Sequence, residues 1–468
     1  MNNFKNKKIL ILGFGREGQS SLRFLKKHYP NNEIAIADKF KWGKSDFPPF
    51  AEKYKSFCGK GYLKAIRDYD VIIKSPGINN ADLNPYLKNQ TITSLKKQVI
   101  TKPYLKNHNA DLMPYSKNQN ADLRSYLENQ VVTSQTEIFL EKHRDKTIAI
   151  TGTKGKGMTA SLLYKIIKST GKKVELIGNM GKPALDFYNK KNCWFVFEVS
   201  SHQLENLKIS PHIAVFLNIY ADHLDFFNTF KRYFTAKKNI TINQSKKDYF
   251  IYNKNSKALE AIKTKAKKIA FTKTQNKGLK QIPFKSSWFL ENINAAIAVA
   301  KLLKIKEKDI QKTIKSYKPF EHRLEIVGTY NGIKFINDSA ATIPEATIAG
   351  LNNFDNIDTL ILGGSEKKSD FKNLAKEIIK KNIKTIILFP ITGKKILKEI
   401  KKQKPKKLPK AIDVKNMKQA VVACYKNTKK GSACLLSPAC ASFSIFKDYQ
   451  DRGEQFKKYV KELANSKR

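Results

Sequence analysis

Arginine is what this chain of 468 residues most conspicuously lacks: there are nine, against 80 lysines, in a total of 89 basic and 40 acidic residues. The resulting formal charge of +49 first suggests nucleic acid or an anionic surface as a partner. Arginine, however, is the residue that reads base edges and phosphates bidentately. The lysines are also spread along the whole chain, with only short runs such as Lys401, Lys402, Lys404, Lys406 and Lys407. The reading is therefore against a nucleic-acid partner. Cysteine is sparse as well: five residues, an odd number, none in a C-x-x-C pair. That excludes a disulfide framework and fits a reducing cytoplasm.

Also missing is any apolar run near the ~20 residues that a membrane helix needs. The opening MNNFKNKKILILGFG has basic residues before an apolar run, but the run breaks at Gly13 and Gly15, too early for a secretion signal. The expectation is a soluble cytoplasmic protein with no membrane partner. Apolar material itself is plentiful: 41% hydrophobic and 11% aromatic residues can close several cores, which excludes wholesale disorder.

Apolar bursts alternate with amphipathic stretches in an α/β rhythm. Lys8–Leu12, Ile34–Asp38 and Val71–Lys74 read as buried parallel strands, with Gln19–Lys27 as the helix after the first. A second series holds strands at Thr147–Thr151, Trp194–Val199 and Ile213–Asn218 and a helix at Ala160–Ser169. A third holds strands at Ile333–Asn337, Thr359–Gly363, Thr385–Phe389 and Ala433–Ser437. Three α/β domains are expected, over 1–134, 135–320 and 321–468. One element repeats: NADLNPYLKNQ (80–90), NADLMPYSKNQ (109–119) and NADLRSYLENQ (120–130). The copies are too polar and irregular to stack as a solenoid, so they read as a local duplication, an insertion of about 80–119 in the first domain.

Four groups of motifs carry chemistry. Gly13-Phe14-Gly15-Arg16-Glu17-Gly18 follows a strand and opens a helix, where backbone N–H groups and the helix dipole can meet a phosphate. Asp38 ends the next strand, as a ribose or nucleoside partner would; a dinucleotide, a UDP-sugar or a plain tight turn all suit this motif. The loop IAITGTKGKGMTAS (148–161) is stronger, a strand, a glycine-rich phosphate cradle and a helix start, with Lys156 reaching the β/γ-phosphates. Where the usual loop places a Mg²⁺-binding hydroxyl stands Gly157, then Met158, leaving Thr159 to supply it. Glu198 and Asp222-His223-Leu224-Asp225 follow apolar strands and face the sheet edge that carries that loop, where hard oxygen ligands suit Mg²⁺. In the last third, HRLE (322–325), INDSAATIPEAT (336–347), LGGSEKKSDF (362–371) and LLSPACASFSIFKDYQDRGEQF (435–456) end or follow strands. Neither Ser437 nor Ser442 sits in G-x-S-x-G, and Cys434 and Cys440 lack partners at metal-ligand spacing.

Taken in order, the ATP loop, GNMGKPAL (178–185), EVSSHQLE, NIYADHLD, HRLE, the NDS-AT segment, GGSEKK and SPACASF…RG resemble the Mur ligase family over nearly the whole chain. The resemblance implies a Rossmann-like first domain, a central P-loop ATPase-type domain and a Rossmann-like third domain. It implies ATP-driven amide formation (EC 6.3.2 type) in cytoplasmic peptidoglycan precursor synthesis. GGSEKK and SPACASF point within the family to UDP-N-acetylmuramoyl-L-alanine and D-glutamate as substrates, and the enzyme is expected to be a monomer.

By the same resemblance, Gly15, Arg16, Glu17, Gly18, Asp38, Ser75, Pro76, Gly77, Asn179 and Ser200 would contact the UDP substrate. ATP would lie on Gly152, Thr153, Lys154, Gly155, Lys156, Gly157, Met158 and Thr159, with Asn292 at the adenine, Arg323 at phosphate and Asp338 at ribose. Mg²⁺ would be held by Glu198, His223, Thr159 and Lys237, the last as an anionic carbamate; Lys156, Glu198, His223 and Lys237 form the catalytic group. D-glutamate would be held by Thr342, Lys367, Ser442 and Tyr449, and the outer domains would close on the central one by hinge motion.

Several positions depart from the family's pattern. Gly157-Met158 replaces Ser/Thr-Thr, Trp288-Phe289 replaces a His-Asn pair, and Ala340 replaces a lysine after NDS. His202 stands for the aromatic of SSFQLE, and Tyr449 for a phenylalanine. The alternatives are a sister amide ligase, one for another amino acid or one like folylpolyglutamate synthase, and a basic P-loop protein that binds nucleic acid. The latter would need clustered arginines or stacking platforms, which the sequence lacks.

Overall fold

The computed structural model describes residues 4–41, 48–87, 130–179, 181–272, 287–317, 321–365, 369–443 and 445–465. Of the three repeats, the start of the first falls among them, as the short helix Asn80–Leu83 and the turn Asn84–Tyr86, together with Gln130 at the end of the third; the rest lies outside the described residues.

Strands β1 (Ile9–Leu12), β2 (Ile34–Asp38), β3 (Lys55–Cys58), β4 (Val71–Lys74) and β5 (Val131–Thr133) form a parallel sheet in the order β3-β2-β1-β4-β5. Every residue of β1, β2 and β4 is buried, as parallel strands covered on both faces must be. Strands β6 (Thr147–Thr151), β7 (Val174–Gly178), β8 (Trp194–Glu198), β9 (Ile213–Phe216), β10 (Tyr249–Asn253) and β11 (Lys267–Phe271) form a second sheet, ordered β11-β10-β9-β6-β8-β7. Strands β12 (Glu325–Tyr330), β13 (Ile333–Asn337), β14 (Ile357–Gly364), β15 (Thr385–Ile391), β16 (Lys410–Asp413) and β17 (Ala433–Leu436) form the third, ordered β12-β13-β17-β14-β15-β16. Only the β12–β13 hairpin of that sheet is antiparallel.

The helix after β1 runs over Arg16–His28 and that after β6 over Lys156–Ser169, each beginning three or four residues before the expected start. Gly155 explains the second case: at φ +86 it turns the chain straight from the loop into the helix.

The chain divides into two compact units, one up to Ala270 and one from Phe271. In the first, a single apolar cluster joins both sheets: Ile9, Ile11 and Phe24 belong to it together with Phe139, Phe195 and Phe197. Phe24 meets Tyr188 edge-on at 4.7 Å, Ser20 Oγ donates to Asp186 Oδ1 at 2.8 Å, and Arg23 pairs with Asp186 at 2.9 Å. The hinge expected between the first and second sheets therefore meets a continuous core. The second unit includes the helices Ser287–Leu302 and Glu307–Ser316 as well as the third sheet, because Phe289 packs on the cluster of Leu324, Leu351 and Leu435. Leu360 and Leu362 of β14 face that cluster and Ile361 faces the one around Phe335 and Phe456, so helices cover both faces of the sheet.

Gly18 and Gly15 separate packing from function in the first loop. A Cβ on Gly18 would lie 2.1 Å from the Gly13 carbonyl oxygen, whereas one on Gly15 meets nothing within 4 Å. Gly18→Ala is expected to lose about 1–3 kcal/mol of stability and Gly15→Ala almost none; thermal unfolding of the two variants checks this.

Candidate functional site

In the first sheet the chain reverses direction between β1 and β4, the position where open α/β sheets hold ligands beyond their strand ends. A cavity of about 450 Å³ lies there. Its wall includes Gly15, Arg16, Glu17, Asp38, Ser75, Pro76, Gly77 and Asn179. Gly13 has to be glycine, since its φ is +87 and a Cβ would come within 2.8 Å of the Ser75 Cβ. Ser75 Oγ donates to the Gly13 carbonyl at 2.8 Å, and Gly15 caps the helix Arg16–His28, so that helix's free N–H groups face the cavity.

Two expected contacts take other places. Gly18 is packed against Gly13 and is absent from the cavity wall, and Ser200 spends its side chain as the N-cap of the helix Ser201–Leu204, in a capping box with Gln203. Asp38 lines the cavity, but its carboxylate is engaged within the chain: Oδ2 accepts the Phe14 N–H at 2.6 Å and Oδ1 the Phe40 N–H at 2.9 Å. Glu17 accepts from Gln203 Nε2 at 2.6 Å, and burial pushes its carboxyl up.

Asn179 links this cavity to the second site, donating to Glu198 Oε1 at 3.4 Å. In the second sheet the chain passes from β8 to β9 over β6, so the loop after β6 sits at the switch point. Asn218, just beyond β9, clamps that loop. Its Oδ1 accepts the Lys154 N–H at 3.0 Å, its Nδ2 donates to the Lys154 carbonyl at 2.9 Å, and its own carbonyl accepts the Thr153 N–H at 3.0 Å. Tyr233 OH donates to Thr153 Oγ1 at 3.1 Å. Asn218 opens the NIYADHLD segment but was given no role from the sequence, and nothing there marks Tyr233.

Lysines crowd the clamped loop. Lys156 Nζ donates to the carbonyls of Gly152 (3.0 Å) and Thr153 (3.1 Å), and Lys237 Nζ donates to the same Gly152 carbonyl at 2.9 Å and to Thr151 Oγ1 at 3.3 Å. Lys154 pairs with Asp222 at 3.3 Å. Lys237 is 1% exposed; burial pushes its ammonium well down, and the charge of Lys156 adds to the effect. Gly157, Met158 and Thr159 form the buried first turn of the helix Lys156–Ser169.

Glu198 suits a cation: it is buried, and its Oε2 has no hydrogen-bond partner among the described residues. His223 lies beside Asp222, 3.8 Å from Nε2 to Oδ2, and its ring meets that of His202 edge-on at 4.9 Å. Lys237 as an ammonium has no lone pair and is no ligand; only a deprotonated, carboxylated form would be. Among the described residues, the one cluster of three His, Cys, Asp or Glu donors is elsewhere, at Glu321, His322 and Glu454. Lys457 already fills it, 2.8 Å from Glu454 and 3.4 Å from Glu321. The loop site thus offers few protein ligands, the pattern of Mg²⁺ sites completed by phosphates and water.

In the second unit, Asp338 and Thr342 follow β13 and Ser442 follows β17. Asp338 is buried, with Oδ2 accepting from Ser437 Oγ at 2.8 Å and Oδ1 from the Leu324 N–H at 3.3 Å; Arg323 is close enough to act on its charge. Ser339 Oγ donates to the Tyr449 carbonyl at 2.7 Å, and buried Arg452 donates to Ser339 and to the Cys440 carbonyl. Ser442 is buried in the turn after β17, and Thr342 is half-buried after β13. Asn292 is buried on the helix Ser287–Leu302. Lys367 lies outside the described residues.

The chain matches the family model of the Mur ligase middle domain over residues 150–333 and that of the Mur ligase glutamate ligase domain over residues 322–440. It is 32% identical, over 98% of its length and 100% of the relative's, to the UDP-N-acetylmuramoylalanine–D-glutamate ligase of Bacteroides fragilis. To the enzyme of that name from Natranaerobius thermophilus it is 30% identical over 98% of each chain. Among solved structures, the Thermotoga maritima UDP-N-acetylmuramate-alanine ligase MurC superimposes with a TM-score of 0.56 at 16% identity, covering 98% of this chain and 100% of that one. The Thermotoga maritima MurF ligase in complex with ADP gives 0.54 at 15% identity, covering all of both chains. These two likenesses are of fold.

Asp338 supplies a pH test. Burial pushes its carboxyl up to about 7 against the help of Ser437 and Arg323, whereas an unfolded aspartate titrates near ~3.9. Between those values the folded chain binds the extra proton, so this contribution to stability is full below the lower value and is lost as pH rises toward the upper. Asp338→Asn should flatten that part of the stability profile, measured by denaturant unfolding from pH 4 to 8; an unchanged profile would contradict the assignment.

Proposed function

The chain belongs to the Mur ligase family, and from that premise we propose that it joins the L-alanyl carboxylate of UDP-N-acetylmuramoyl-L-alanine to the amine of D-glutamate at the expense of ATP. The observation that carries the reading is the convergence of Lys154, Lys156 and Lys237 on one clamped glycine loop, with Glu198 beside them. A loop that carries Lys154 and Lys156 suits a polyphosphate.

The substrate carboxylate oxygen attacks the γ-phosphorus, the bond to the bridging β–γ oxygen breaks, and ADP leaves an acyl phosphate. The D-glutamate nitrogen then attacks that carbonyl carbon and loses a proton, and the tetrahedral intermediate collapses by expelling phosphate. Lys156 and Lys154 offset charge developing on the transferring group, a positioning and electrostatic role with no covalent protein nucleophile. Mg²⁺, when bound, adds charge neutralisation at phosphate oxygens; Glu198, His223 and Thr159 are the residues assigned to it, with Lys237 once carbamylated. The depressed Lys237 ammonium supports that modification, because a neutral amine can attack CO₂ and shed a proton to become an anionic carbamate.

The cavity after β1 is assigned to the UDP part, its diphosphate against the N-terminus of the helix Arg16–His28 and its contacts drawn from Gly15, Arg16, Glu17, Asp38, Ser75, Pro76, Gly77 and Asn179. Asn292, Arg323 and Asp338 are assigned to adenine, phosphate and ribose, and Thr342, Lys367, Ser442 and Tyr449 to D-glutamate. The five free cysteines support a cytoplasmic setting, and no described helix is long and apolar enough to cross a membrane. The enzyme acts as a monomer, without nucleic acid.

Purified protein given ATP, Mg²⁺, UDP-N-acetylmuramoyl-L-alanine and D-glutamate should release phosphate, and should not with L-glutamate. Silence with both enantiomers would sink the proposal. Lys156→Ala is expected to lower kcat by about 10²–10³-fold or more, read in the same assay.

A further inference from the structure

Lys74 ends β4, a strand buried on both faces, and the chemistry above gives it no role. A lysine is rarely found in such a place unless it is paired. Its Nζ donates to the Ile78 carbonyl at 2.7 Å and lies 3.7 Å from Oε2 of Glu205, the residue after the helix Ser201–Leu204. Burial pushes the ammonium down, while the charges of Glu205 and Glu17 oppose that shift.

The bond to Ile78 spans the turn Ser75-Pro76-Gly77-Ile78, which walls the first cavity. Little packing fixes the tip of that turn. Pro76 lines the first cavity and also a second one, of about 400 Å³, whose wall includes Lys74 and Glu205. A Cβ on Gly77 would meet nothing within 4 Å. Hydrogen bonds hold the turn instead. At its start the Ser75 N–H donates to the Leu12 carbonyl at 2.8 Å, and Ser75 Oγ donates to the Gly13 carbonyl at 2.8 Å. Across it the Ile78 N–H reaches the Ser75 carbonyl only at 3.3 Å, so the shorter tie at its far end is the one from Lys74. Beyond the turn, Asn79 Nδ2 donates to the Phe226 carbonyl at 3.0 Å.

We propose that Lys74 is a positioning residue for the nucleotide substrate: by holding the Ile78 carbonyl it keeps the 75–78 turn in the shape that meets the UDP part. The inference rests on the reading that this cavity takes UDP. Glu205 offsets the lysine's charge, which lets the tie persist in a buried setting. Loss of one such hydrogen bond is worth about 3- to 10-fold in affinity.

Isothermal titration of UDP and, separately, of ATP with Mg²⁺ into the wild-type chain, Lys74→Met and the double variant Lys74→Met/Glu205→Gln tests this. The double variant removes both charges of the buried pair, so neither is left unpaired. The expected result is a loss of about 3- to 10-fold in UDP affinity in both variants, with ATP affinity within about twofold of wild type. Unchanged UDP affinity in Lys74→Met would overturn the proposal. So would recovery in the double variant, which would trace the loss to an unpaired Glu205 carboxylate, and so would an equal loss for ATP, the mark of a general disturbance of the fold. Should Lys74→Met alone fail to fold, the double variant decides by the same two affinities. A wild-type chain that binds no UDP would overturn the reading of the cavity itself, and is recognised before any substitution is made.

Discussion

The carbonyl oxygen of Gly152 accepts hydrogen bonds from two lysine side-chain nitrogens, those of Lys156 and Lys237. Burial and the charge of Lys156 push the Lys237 ammonium down, while Asp222 and Glu198 oppose that shift. Much of the surrounding architecture serves to keep that loop in place. Asn218 grips it by three hydrogen bonds, Tyr233 holds Thr153, and the buried β6 and β9 deliver loop and clamp to the same sheet edge. Rigid cationic loops of this kind lower the reorganisation needed when phosphate charge shifts, which is the principal electrostatic contribution an enzyme can make to phosphoryl transfer.

The first domain is tied to the second by the same logic of fixed distance. A shared apolar core, the Arg23–Asp186 pair and the Gln203–Glu17 hydrogen bond hold the β1 cavity against the β6 site, and Asn179 bridges the cavity to Glu198. A substrate anchored by its nucleotide at one end can then present its carboxylate at a set distance, the entropic advantage of pre-positioning. The net charge of +49 adds a general attraction for anionic substrates that salt would screen. Few of the lysines have local roles as specific as Lys154, Lys156 and Lys237.

Strands buried on both faces were legible in the sequence: β2, β4, β6 and β13 match their expected limits. Edge and half-exposed strands such as β3 (KSFC) and β16 (KAID) were not, because without a buried face they carry no apolar run. Spacing along the chain cannot tell a side chain that meets a ligand from one that braces the fold. Asp38 and Phe14 are 24 positions apart and Tyr233 and Thr153 are 80 apart, so both bonds exist only in the fold. Gly18 read as a ligand contact for the same reason, although its packing against Gly13 already requires glycine.

The central claim is that this loop drives transfer of a phosphoryl group onto a substrate carboxylate. The most direct measurement uses UDP-N-acetylmuramoyl-L-alanine carrying ¹⁸O in its alanyl carboxylate, with turnover followed by mass analysis of the released phosphate. Passage through an acyl phosphate predicts one ¹⁸O atom in each phosphate released during amide formation. Phosphate free of ¹⁸O, with amide product present, would contradict the account.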